Sequence, residues 1–192
     1  MNRSFDNTHD QSMEVYKTLT GIVQKQTAWF LERTLPRLHE NWWNLHVVYK
    51  LEGYYDRQVH QPRPAAIKDL DFAAMLFLLQ ENLKQIAEVE PWDQDAWAII
   101  TYMRGVRNRY AHIPSSGVGR RQIIRDYNAI LEFMELVGVS KYEIDKIRRV
   151  KLALDLEWNR GSIIHIKVGS QRLRESDAYV VYNEIRKRAK KR

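Results

Sequence analysis

Apolar residues recur along most of this chain at the three-to-four-residue spacing of helices packed by one face. Between about residues 12 and 34, Val15, Leu19, Ile22, Val23, Thr27 and Phe30 mark a first amphipathic helix, which Pro36 closes or follows with a new start. From Leu38 to Leu51 the stripe continues through Trp42, Leu45, Val48 and Tyr49, until Gly53 and the segment Gln61-Pro62-Arg63-Pro64 break it. Asp69 or Asp71 can cap the next segment, LDFAAMLFLLQENLKQIA, whose uniformly apolar first half belongs at the centre of the core.

Pro91 and Asp93 prepare a fourth helix over about 94–112, with Asp93 accepting free amide hydrogens of the first turn. After the loop 113–119 a fifth helix carries Ile123, Ile124, Tyr127, Ile130, Leu131, Met134 and Leu136 as far as Gly138. Ser140 with Glu143 reads as a capping box opening a sixth helix to about Asn159. The β-branched run at 162–168 suits a short strand, and an irregular crossover equally, before Ser176 caps a last helix. The pattern predicts an all-α bundle, with residues 1–138 as a helical domain and 139–192 as a basic C-terminal extension.

On a helical wheel the fourth helix gathers Ile99, Met103, Val106 and Tyr110 into one sector, about 230° from Arg104. Asn108, at about 40°, and His112, at about 80°, point away from that face. Arg107, at about 300°, flanks the stripe and is long enough to reach round the helix. A proton carrier and an amide one turn apart, among Arg104, Arg107 and Arg109, supply what RNA cleavage through the 2′-hydroxyl needs: proton movement, a cation on the phosphate, and geometry. The following loop adds Ser115 and Ser116 ahead of a helix start bearing Arg120 and Arg121, where free backbone amides attract phosphate. The same residues also fit a solvated helix end, with His112 interacting favourably with the helix dipole when protonated.

Charge sharpens this picture. A net charge of +7 is carried in large part by Arg120-Arg121, by 146–149 and by the tail 186–192, which fits a polyanionic partner and fits solvated helix faces as well. With 44% apolar residues the chain can bury a core. It contains no cysteine, which excludes disulfides and thiolate chemistry. No apolar run is long enough for a bilayer and the first residues lack the apolar block of a secretory signal, so a soluble, cytoplasmic protein is expected.

The Arg107-Asn108…His112 spacing at the end of a core helix resembles the hallmark motif of the HEPN superfamily. With Trp42-Trp43 and VVYKL, then LDFAAMLFLLQENLKQI, then VRNRYAH, the likeness extends over about residues 38–135, to the subgroup found in RNA-processing endonucleases and bacterial defence proteins. That resemblance implies a metal-independent endoribonuclease, a toxin or antiviral effector, working without cofactor as a homodimer whose motif helices face each other. His112 would shuttle the proton, Arg107 would hold the scissile phosphate and Asn108 would orient the pair, leaving a 2′,3′-cyclic phosphate. Arg104, Arg109, Arg120 and Arg121 are the candidate RNA contacts, and a protein inhibitor or defence-complex partner is a further candidate. One toxin branch carries a modifiable tyrosine two places after the His; Pro114 stands there in this chain. The alternative is an inactive HEPN scaffold that binds RNA or a protein.

Other residues have plainer readings. Trp42, Trp43, Trp92 and Trp97, at helical spacing among Leu and Val, are expected in the core rather than stacked on bases. His39 and His46 lie two turns apart without a third ligand, and Asp69 with Asp71 and Asp93 with Asp95 read as helix starts rather than acid pairs.

Overall fold

The most apolar segment of the chain forms the helix that the others surround. In the computed structural model, which describes residues 3–55 and 64–159, helix α4 (Phe72–Glu81) buries Phe72, Ala74, Met75, Leu76, Leu78 and Leu79. The chain before it runs as α1 (Arg3–Thr18), a π-helical turn Leu19–Val23, α2 (Gln24–Thr34), a second π-helical turn Trp43–Val48 and α3 (Tyr49–Tyr55). After α4 come α5 (Leu83–Val89), α6 (Ala96–Ala111), α7 (Arg120–Leu136) and α8 (Lys141–Asn159). Helix α6 packs against α4 on one side and α7 on the other, while α1 lies against α6 and α7 and α2 lies against α4. The all-α architecture expected from the apolar periodicity is the one observed among the described residues. One compact unit is Met1–Asp155, which continues past residue 138 to take in buried Ile144 and Ile147 of α8; the other is Leu156–Arg192. The expected strand at 162–168 and the helix from Ser176 lie outside the described residues. No helix among the described residues is long and apolar enough to cross a membrane.

Where the elements differ from the sequence pattern, a specific side chain explains it. Val15, Leu19, Val23, Thr27, Leu31 and Leu35 are all buried, a strict four-residue repeat. In a regular helix that repeat drifts about 40° per step, and a wider π turn at Leu19–Val23 resets the stripe onto the core. Hydroxyls assist locally: Thr18 and Thr20 donate to the carbonyls four residues back, at 2.9 and 3.0 Å. The run 72–89 reads as one helix but is split at Asn82, whose backbone leaves the helical region. Its buried side-chain amide donates to the carbonyls of Leu78 (2.9 Å) and His46 (3.0 Å), and its oxygen pairs with His46 Nδ1 (2.7 Å). That network joins the break to the second π-helical turn and gives His46 a structural partner.

The caps are close to expectation. Asp71 Oδ1 accepts from the Ala74 amide at 2.7 Å, and Ser140 Oγ accepts from the Glu143 amide at 3.4 Å. Asp69 accepts from the Ala66 amide at 3.0 Å. Helix α6 starts two residues later than expected, at Ala96: Asp95 is its N-cap, and Asp93 instead accepts from the Asp95 amide at 2.9 Å. Trp92 stacks on Phe30 at 5.3 Å and donates its indole N–H to Leu136 O at 2.9 Å. Trp42 and Trp43 are half-buried, edge to face. Trp97 departs from the core expectation: at 57% exposure it stands on the outer side of α6.

Among the described residues two glycines have positive φ. Gly138, at +67°, ends α7, with the Val139 amide donating to Met134 O at 3.0 Å. Gly117, at +73°, lies under α1, where an added Cβ would stand 2.6 Å from the backbone of Thr8. Gly138→Ala meets nothing nearer than the mobile end of Arg33 and is expected to lose about 1 kcal/mol. Gly117→Ala adds a backbone clash and is expected to lose about 3 kcal/mol, with urea midpoints at constant m-value as the measurement. Burial pushes the Tyr127 phenol up to about 12 from its ordinary 10.0. The unfolded chain therefore ionises first, so this contribution to stability is complete below pH 10 and lost as pH rises toward about 12. Denaturant titrations across that window should show the loss, and Tyr127→Phe should reduce it.

Candidate functional site

Helix α6 buries Ile100, Met103, Val106 and Tyr110, with Ile99 at the margin. That leaves Trp97, Thr101, Arg104, Asn108 and, at the C-cap, His112 exposed on the outer side, as the wheel predicts for Asn108 and His112. Arg107 and Arg109 flank this outward ridge and turn to opposite neighbours. Arg107 reaches α4, where Nη2 donates to Asp71 Oδ2 at 3.2 Å, while Nη1 donates to Asn108 Oδ1 at 3.4 Å. Higher on the same flank, Arg104 donates to Gln80 Oε1, and Gln80 Nε2 in turn donates to Thr101 Oγ1 at 2.9 Å.

Arg109 turns to α7. Its Nε and Nη2 donate to the two oxygens of Asp126 at 3.0 and 3.4 Å. Asp126 is fully buried and accepts three more hydrogen bonds, from Tyr110 at 2.9 Å, Tyr102 at 3.3 Å and Gln122 at 2.7 Å. Burial, then the Asp126 charge, raises the Tyr110 phenol far above the usual tyrosine range, so it stays a donor. Arg109 thus serves as the counter-charge of a buried carboxylate, whereas its sequence position suggests an RNA contact. The apolar periodicity of α7 does not single out Asp126, but its position does: it falls between Ile123 and Ile130 on the apolar face, where a charge requires partners.

His112 follows the last residue of α6, with φ −132° and ψ 58°, so the chain leaves the helix there. Its imidazole is exposed and makes no hydrogen bond among the described residues. The loop behind it turns at 114–117, with the Gly117 amide donating to Pro114 O at 2.8 Å. It is then fastened to α1 by the Val118 amide, which donates to Ser12 Oγ at 2.8 Å. Arg121 is exposed at the start of α7 and Arg120 is half-buried beside it. One surface thus carries a free imidazole, a side-chain amide and a guanidinium in reach of the amide, which together can move a proton and hold an anion.

Among the described residues no three His, Asp or Glu side chains converge as metal ligands. His39 is exposed and accepts from the Asn41 amide at 2.9 Å. Comparison with protein-family models, with curated proteins and with solved structures finds no match to this chain.

The two flanking arginines should separate in a stability measurement. Arg109→Ala takes two donors from a buried carboxylate that keeps three others, and is expected to destabilise the fold by about 2 kcal/mol. Arg121→Ala, on the open surface, should change the urea midpoint by less than about 0.5 kcal/mol. Equal losses would show that Asp126 does not depend on Arg109.

Proposed function

We propose that the chain is a HEPN-type endoribonuclease that cleaves RNA without a metal, through the RNA's own 2′-hydroxyl. The observation that carries this reading is the outward ridge of α6, where Asn108 and His112 are exposed and Arg107 donates to Asn108. In the reaction the 2′-oxygen attacks the adjacent phosphorus as its proton passes to a base. The bond to the 5′-oxygen then breaks, and that oxygen takes a proton from an acid. The products are a 2′,3′-cyclic phosphate and a 5′-hydroxyl.

An imidazole can serve as base or acid, and a guanidinium beside it can neutralise charge growing on the phosphoryl oxygens. A second copy of the chain, docked ridge to ridge, would supply a second imidazole and cover the exposed Trp97 and Tyr102, which gives the two proton transfers separate carriers. The biological role that goes with this chemistry is that of a toxin or antiviral effector in the cytoplasm, held in check by a protein partner.

A second reading has an observation of its own. Arg107 is already engaged by Asp71 and Asn108, an arrangement that also suits a folded scaffold that binds RNA or protein without cutting it. The two separate in one assay. Incubated with labelled RNA in EDTA, the wild type should cut and leave cyclic phosphate ends, and His112→Ala should lower the rate by about 10²–10⁴. Cutting that EDTA abolishes, or that survives His112→Ala undiminished, would sink the nuclease; retention of RNA by both proteins without cutting would favour the scaffold.

A further inference from the structure

The Asp71 carboxylate is divided between two tasks. Oδ1 accepts from the Ala74 amide at 2.7 Å and so caps α4, while Oδ2 accepts from Arg107 at 3.2 Å. The capping bond ties the carboxylate to the end of a ten-residue helix that is mostly buried, so Asp71 stays in place whether or not Arg107 is there. Arg107 is the movable partner, at the end of a long side chain. The pair lies open to water, with side chains 28% and 54% exposed, and such pairs contribute little and exchange readily. A phosphodiester offers the guanidinium the same paired anionic oxygens that a carboxylate does.

We infer that Asp71 is a positioning residue of this site, an internal counter-ion that holds the Arg107 guanidinium beside the α6 ridge until an RNA phosphodiester takes its place. The inference rests on the RNA-binding half of the function proposed above. Asp71 keeps the cation close to Asn108, and it competes with the phosphate for that cation. Removing the negative charge while keeping the cap therefore strengthens RNA binding. Asparagine caps a helix about as well as aspartate, so Asp71→Asn isolates the charge.

The test uses the full chain and an oligoribonucleotide carrying 2′-O-methyl groups, which cannot be cut, with binding followed by fluorescence anisotropy. Wild type, Asp71→Asn, Arg107→Ala and the double variant are compared. Asp71→Asn is expected to tighten binding about two- to fivefold with its melting temperature unchanged. In the Arg107→Ala background the same substitution should have no effect, because the competition has lost its object. Unchanged or weaker binding by Asp71→Asn overturns the inference, as does equal tightening in both backgrounds, which would be a general charge effect. Failure of the wild type to cut unmodified RNA removes the nuclease and leaves these affinities standing; failure to bind the methylated RNA at all overturns both.

Discussion

A fully buried carboxylate sets the geometry of this protein's surface. Asp126 has no water to solvate it, and the cost of an unpaired charge there is several kcal/mol, so every donor around it is held to its position. Four of the five hydrogen bonds come from α6, through Arg109, Tyr110 and Tyr102, and one from Gln122 on α7 itself. Rotating α6 by a single residue, about 100°, would withdraw all of its donors together. The helix is therefore locked at one angle, and its outer side, with Asn108 and His112, is fixed by what happens on its inner side.

This division also sorts the basic residues. A net charge of +7 suggests a surface rich in free cations, but several arginines are spent within the fold. Arg109 neutralises Asp126, Arg37 donates to Glu90 and to Val89 O, and Arg148 bridges Asp145 and Glu135. Around the ridge, Arg121 is exposed, Arg107 is shared with a half-exposed carboxylate, and Arg104 meets, among the described residues, a neutral amide. An anion approaching α6 thus meets guanidinium groups of unequal availability, which net charge alone does not disclose.

What could be read in the sequence was local. The buried stripe of α6, the exposure of Asn108 and His112, the capping serine at 140 and the stop at Gly138 all follow from spacing within one or two turns, and the structure has them. What escaped was set by partners distant in sequence. Asp71 lies 36 residues from Arg107, and Asp126 lies 17 from Arg109, so neither pair has a spacing to recognise. The split at Asn82 is of the same kind, since its side chain is satisfied by His46, 36 residues earlier. Trp97 is a different case: at about 20° from Arg104 it falls on the outward side with Asn108, opposite the stripe that buries Met103 and Val106, so its place on the helix and not its residue type decides its exposure.

The motif therefore depends on residues well outside itself. Its histidine ends a helix whose rotation is set by α7, its arginine is held by the cap of α4, and the loop that follows is fastened by Ser12 of α1 at 2.8 Å. That last contact requires the α1 backbone to pass so close to residue 117 that only glycine fits, in a conformation that only glycine adopts readily. Four segments of the chain must be in place before the imidazole and the guanidinium share a surface. The Arg107-to-His112 spacing marks where such a site can form, and the long-range pairs at Asp71, Asp126 and Gly117 determine whether it does.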